Sequence, residues 1–396
     1  MKLRKVFIGL LAITLVVFSA SLFAQGTECK DIEKIFDAQG KSVKESDVYE
    51  SANVCAVCHD TIYKEWKSGL MGQTQTSPIY QKFLAEAVKT RGDSVKGECN
   101  LCHMPTFNKS DDPSDELLAQ GVNCDFCHTI ENVEFHSYPG SYISSPGRVK
   151  KAALEIAKSP YHPSTTTEVL ENPRFCAACH QYTMSVGSEE IIVEDTYTQY
   201  RDSSYGRTNK GCLACHMPNK DRKVANLDLA PLRQKTHSHE FAYPDKEKYI
   251  SNAVILSIKP YMRKATDITV ICNNKAQGHA FPGGANYFRH LILTIYGYND
   301  DGQQIWSYSH IFGRWYEDKF GSKTYFPWMA NKIRYNNLLR PDRIENVLFK
   351  LTEKIRVYNV VAVMDYWYMP PELVKKYNLA VEPIRVAKTS RRPDDY

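Results

Sequence analysis

The chain has 396 residues, a formal net charge of +5 and 24% charged side chains. Basic residues are scattered and nearly balanced by acids, which excludes the long basic stripe of a nucleic-acid binder. Twelve cysteines would suggest a disulfide framework in an exported protein, but their spacing follows a different rule.

In chain order, the first element is a leader. Lys2, Arg4 and Lys5 precede an apolar run from Val6 to Phe23 that ends in small residues and Ala24. This is the layout of a secretory signal over residues 1–24, removed from the mature chain; an uncleaved N-terminal anchor is the alternative. Export to the periplasm or the extracellular space follows. No later segment is long and apolar enough to span a bilayer, so no stable membrane span is expected once the leader is removed.

Residues 25–247 form the first expected domain. Cysteines fall at Cys55 and Cys58, Cys99 and Cys102, Cys124 and Cys127, Cys176 and Cys179, and Cys212 and Cys215. Each pair is followed at once by a histidine: His59, His103, His128, His180 and His216. Histidine is only 12 of the 396 residues, so five such successions are not coincidence. C-x-x-C-H is the attachment unit of c-type haem. The two thiols bond the two vinyl groups of one porphyrin, and the histidine lies under the iron as proximal ligand. Structural zinc needs two half-sites per ion, and five do not pair. A thioredoxin-like C-x-x-C would occur once, beside a βαβ unit. Five covalently bound haem c groups are therefore expected. Cys29 and Cys272 fall outside the rule, either bonded to each other or as isolated thiols.

The same region has little sustained hydrophobic periodicity, so the porphyrins are expected to supply much of its core. Short helices are expected after the motifs, with helical stretches at 60–72, 77–90 and 149–158. Seven histidines remain for the distal positions. His136, His162, His237, His239 and His279 are candidate distal ligands, whereas His290 and His310 sit in strand-like alternation and read as structural. Met104 and Met217 lie too close to their own proximal histidines to serve the same iron. No motif ends in lysine, the signature of pentahaem nitrite reductases. Most of the 25 tyrosines are expected to pack on porphyrin faces.

From residue 248 the pattern changes to period two. Strands are expected at 252–259, 267–274, 290–298, 304–312, 345–351 and 358–369, separated by turn signals such as "NDDGQ" and "LRPDR". Their number and spacing suggest an all-β, Ig-like sandwich over 248–370. The fold class is thus mixed: an irregular, mainly α haem domain followed by a β-sandwich. The tail 371–396 reads as partly extended and exposed.

The stretches "CAVCHDTIYKEWKSG", "GVNCDFCH", "FCAACH" with "EDTYTQYRDSSYG", and "GCLACHMP" resemble the cytochrome c-554-like multihaem cytochromes over residues 50–245. "GHAFPGG" running into strands is similar to the β-sandwich appended to many exported bacterial multihaem proteins. The resemblance implies closely stacked, mostly bis-histidine haems and electron transfer outside the cytoplasm. It also implies distal ligation by His162 and by one of His237 or His239. Relatives often carry histidine five residues after the tryptophan of the first-haem helix; counted from Trp66, that position here is Met71. Met71 is either an axial ligand or a bystander.

The function expected is a non-enzymatic relay between redox partner proteins, donor and acceptor unspecified. The alternatives are a redox enzyme acting on a small nitrogen or sulfur compound at one open haem, and a filament-forming conductive cytochrome.

Overall fold

The computed structural model describes residues 49–394 apart from 108–114, 135–139, 141, 155–158, 160, 187, 209, 229, 242–245, 252 and 275–277. The leader, Cys29 and His136 lie outside the described residues. The N-terminal part is a set of short helices with four two-stranded ribbons. The C-terminal part consists of a three-stranded and a six-stranded sheet.

Four of the five motifs end helices rather than precede them. Val95–His103, Cys124–His128, Pro173–His180 and Leu213–His216 each close on their motif histidine. The expectation of helices following every motif is corrected accordingly. It holds at the first motif, where helix Asp60–Ser68 follows His59. The physical reason lies in helical geometry: positions i, i+3 and i+4 share one face. A C-x-x-C-H unit wound as a helix therefore presents both thiols and the imidazole in one direction. Side-chain caps set where these helices begin. The Asn123 carboxamide accepts from the Phe126 amide at 2.9 Å, and Asn172 accepts from Arg174 N at 3.0 Å just ahead of Pro173.

The expected helix over 60–72 is broken at Gly69 into Asp60–Ser68 and Leu70–Gln73. The expected helix 77–90 is present as Pro78–Arg91. Residues 149–158 were expected to be helical; instead Lys150–Ala152 is a strand paired in parallel with Ser164–Thr166. Tertiary ties override helix propensity there. The Lys150 ammonium contacts the buried Asp125 carboxylate, and the Lys151 carbonyl receives the His128 ring.

All six expected strands of the sandwich are present, and their alternating burial explains the stacking. Val254–Ile258 and His290–Tyr298 send every second side chain inward. Ile268, Val270, Leu291, Leu293, Ile295, Val360, Ala362 and Met364 interdigitate between the two sheets. Two strands were not foreseen at the Ala330–Asn337 and Lys323–Thr324 positions, both paired with the long strand Gln304–Asp318. The tail also differs from its expectation. Residues 371–377 form a helix that buries Leu373, and Ile384–Arg391 adds to the six-stranded sheet beside Asn359–Trp367. Val386 is 2% exposed there. The tail is therefore part of the sandwich rather than an exposed extension.

The two parts share a sealed contact. Arg314, fully buried, donates to the Asp195 carboxylate at 2.9 Å, and the Tyr316 hydroxyl donates to the Ile192 carbonyl at 2.8 Å. Phe83 of the helical part packs among Phe288, Phe326 and Tyr377. Cys272 is buried within the strand Lys264–Asn274, where burial pushes its thiol up to about 12.

Candidate haem-binding cavity

One internal cavity of about 2710 Å³ runs through the helical part and under the edge of the sandwich. A pocket for a single ligand is usually about 300–1,000 Å³, so this space suits several large groups. All ten motif cysteines and all five motif histidines line it, together with Met71, His162, His237, His239 and His279. Among the described residues, no cluster of histidine, cysteine or carboxylate side chains could hold a bare metal ion. The donor set is thus spread along walls, as a porphyrin requires, rather than gathered as for zinc.

Three pairs of imidazoles face one another across this space. His59 and His162 have ring centres 6.3 Å apart, His128 and His239 6.3 Å, and His216 and His279 6.2 Å. Two metal–nitrogen bonds of about 2.0–2.1 Å, plus about 1.1 Å from each nitrogen to its ring centre, give a separation of about 6.3 Å. The spacing fits one iron between each pair.

In five of these six imidazoles Nδ1 lies within hydrogen-bond distance of a backbone carbonyl. His59 Nδ1 lies 2.6 Å from the Val224 carbonyl and His128 Nδ1 2.6 Å from that of Lys151. His239 Nδ1 lies 3.0 Å from the His237 carbonyl, and His279 Nδ1 2.9 Å from that of Ala280. His162 Nδ1 sits 3.2 Å from the Pro163 carbonyl. Such contacts place the proton on Nδ1 and leave Nε2 free to ligate. Burial lowers His216 to about 4 and His239 to about 3, and it also lowers His128, His162 and His279, so the neutral ligating form is favoured.

The remaining sequence candidates are placed differently. His237 lines the cavity, with Nδ1 2.8 Å from the Met217 carbonyl. Met71 also lines it, and its carbonyl accepts from Val122 N at 3.1 Å, just ahead of the third motif. His103 stacks on Tyr80, ring centres 4.1 Å apart, and its buried Nδ1 has no hydrogen-bond partner among the described residues. Burial lowers both His103 and His180 to about 4. His290 is buried beside Trp315 and Tyr325, and His310 meets Asn337, both within the sandwich.

The thiols connect the motifs. The Cys55 thiol neighbours that of Cys124, Cys102 neighbours Cys179, and Cys176 neighbours Cys212. The first motif therefore adjoins the third, and the fourth adjoins both the second and the fifth. Contact with the neighbouring thiol, then burial, raises Cys55, Cys102 and Cys176; burial pushes Cys99 up to about 11 and Cys127 up to about 12.

Several residues that build this site carry no sequence signal. The Val224 and Lys151 carbonyls act through the backbone, which any residue could offer. Glu65 is a second case: its carboxylate accepts the His239 amide at 2.9 Å and pairs with Arg222 at 2.8 Å. It thereby ties the helix after the first motif to the loop that carries the His128 partner.

Residues 54–129 match the family model described as "Cytochrome c554 and c-prime". Among solved structures, the fold is similar to a penta-heme cytochrome c552 from Thermochromatium tepidum, with a TM-score of 0.69 and 19% identity. That match covers 88% of this chain and 100% of the other. A putative beta-galactosidase from Bacteroides fragilis aligns at 18% identity over 36% of this chain and 16% of its own, but its TM-score of 0.16 carries no weight. No curated protein matches. Among the described residues, no helix is long and apolar enough to cross a membrane. The family match thus covers the first three C-x-x-C-H units, at the start of the helical part, and the fold of most of the chain is similar to that of a penta-heme cytochrome.

Proposed function

We propose that this protein is an exported pentahaem cytochrome that relays electrons between partner proteins. The observation that carries the reading is the set of three facing imidazole pairs at 6.2–6.3 Å, each containing one motif histidine. Bound haem supplies one-electron iron chemistry. The ten motif cysteines would hold the porphyrins, and His59, His128 and His216 would be proximal ligands opposed by His162, His239 and His279. His103 and His180 complete the proximal set. His237 and Met71, which line the same cavity, are the described candidates opposite them; His136 is a further candidate outside the described residues. The 25–247 and 248–370 units divide the work, the first holding the haems and the second delivering His279.

The thiol contacts imply a wiring. A path would run from the first motif to the third, pass Cys127 to Cys179, and divide at the fourth toward the second and the fifth. Such a path has three ends, at the first, second and fifth motifs, and two of them suit a donor and an acceptor. Redox titration of the exported protein tests this: uptake of five electrons per chain without turnover of small substrates supports a relay. An open-haem enzyme is the second reading, favoured by Tyr80 rather than an imidazole stacking on His103. Carbon monoxide binding to the reduced native protein would support that enzyme; an unchanged spectrum would support the relay.

A further inference from the structure

The segment that carries His279 also carries a cation into the cavity. Arg289 lies just before the strand His290–Tyr298 and lines the cavity wall. Two glycines make room for the two side chains. A Cβ at Gly283 would overlap the His279 ring, and one at Gly284, whose φ is +67°, would overlap the Arg289 guanidinium. Arg289 Nη1 donates to the Gly283 carbonyl at 3.0 Å, and its guanidinium lies 5.2 Å from the Tyr368 ring centre. Among the described residues, no carboxylate forms an ion pair with it. The nearby Glu194 accepts the Thr196 amide at 3.1 Å and its hydroxyl on one oxygen, and its charge reaches Arg289 without an ion pair forming. A guanidinium so enclosed needs an anion, since a buried charge without one is strongly unfavourable. It shares the cavity wall with His180, His216 and His279, and its bond to Gly283 sets it beside the His279 loop, at the junction of the fourth and fifth motifs.

We propose that Arg289 binds a haem propionate carboxylate at the junction of the fourth and fifth motifs, and that Gly284 exists to admit it. Haem c presents two propionate carboxylates, and a guanidinium fork matches one of them in bidentate fashion. Neutralising that carboxylate removes a negative charge that favours ferric iron, so Arg289 holds the haem's potential up. The assignment rests on the haem reading above.

The experiment is a spectroelectrochemical titration of the full-length exported protein as wild type, Arg289→Gln and Arg289→Lys, with haem content measured on each. With five haems retained, Arg289→Gln should weaken reduction of one haem at least tenfold, about 59 mV for one electron. Arg289→Lys should recover most of that shift. Loss of one haem in Arg289→Gln but not in Arg289→Lys would equally support an ionic clamp. Unchanged titration of a fully loaded Arg289→Gln would overturn the assignment, as would equal haem loss in both variants, which marks a packing role. Wild-type protein without covalent haem would overturn the underlying reading instead, and is told apart because the failure of Arg289 alone leaves the wild type loaded.

Discussion

His216 and His279 face each other with ring centres 6.2 Å apart and only 12° between their planes, although 62 positions separate them and they belong to different parts of the molecule. The sandwich therefore delivers a side chain to the candidate haem cavity rather than standing apart from it. Replacing His279 with alanine should convert one iron from low to high spin while all five haems stay attached. Electron paramagnetic resonance together with haem content checks this. A spectrum identical to wild type would remove His279 from the ligand set.

Gly283 should be nearly as sensitive as the ligand it supports. It has only an α-hydrogen where a methyl group would overlap the His279 ring. Gly283→Ala should reproduce the spin change of His279→Ala at least in part. Gly302→Ala is the control, since Gly302 has open space around it but a φ of +76°; it should cost about 1 kcal/mol of stability and leave the spectrum alone.

The buried pair of Arg314 with Asp195 joins the sandwich to the helical part. Arg314→Ala leaves the Asp195 carboxylate without its partner and should cost about 3–5 kcal/mol. Denaturant unfolding of the oxidised protein would measure it. A loss below about 1 kcal/mol would mean that the two parts are held together by other contacts.

A second tie between the parts should depend on pH. The Asp342 carboxylate accepts from the Ser204 amide at 2.5 Å and its hydroxyl at 2.7 Å, and these bonds hold it below the ordinary aspartate value of 3.8. A carboxyl group depressed in the fold stabilises above its unfolded value, and that contribution is lost as pH falls through the folded value. Asp342 has a φ of +58°, which asparagine tolerates, so Asp342→Asn isolates the charge. Wild type should be more stable than the variant by up to about 1 kcal/mol near neutral pH, the group being partly exposed. The difference should close below pH 3.8. A gap that is constant with pH would assign the tie to something other than the carboxylate.

Much of this was written plainly in the chain. C-x-x-C-H declares its own geometry, because helical winding alone brings its three donors to one face. Period-two alternation likewise located six strands of the sandwich, but not Lys323–Thr324 or Ala330–Asn337. What the sequence could not convey was pairing at a distance. Nothing local says that His162 opposes His59 or that His239 opposes His128, since those matches are made by tertiary packing of loops. Residues 150–152 depart from helix because the Lys150 ammonium is drawn to Asp125 and the Lys151 carbonyl to the His128 ring. The tail misled because Ile384–Arg391 is too polar on one face to announce an edge strand. Arg289 drew no notice, since one arginine in a strand-rich region has no signature until its missing anion is seen. Met71 was the sharpest departure from the family pattern, and it does line the cavity.

The most direct test is the intact mass of the purified native protein after denaturation, read beside its pyridine haemochrome spectrum. Five haem equivalents retained on the denatured chain, with a spectrum of two thioether bonds per haem, is the predicted result. An apoprotein mass, or a haem number below five in fully matured protein, would contradict the account.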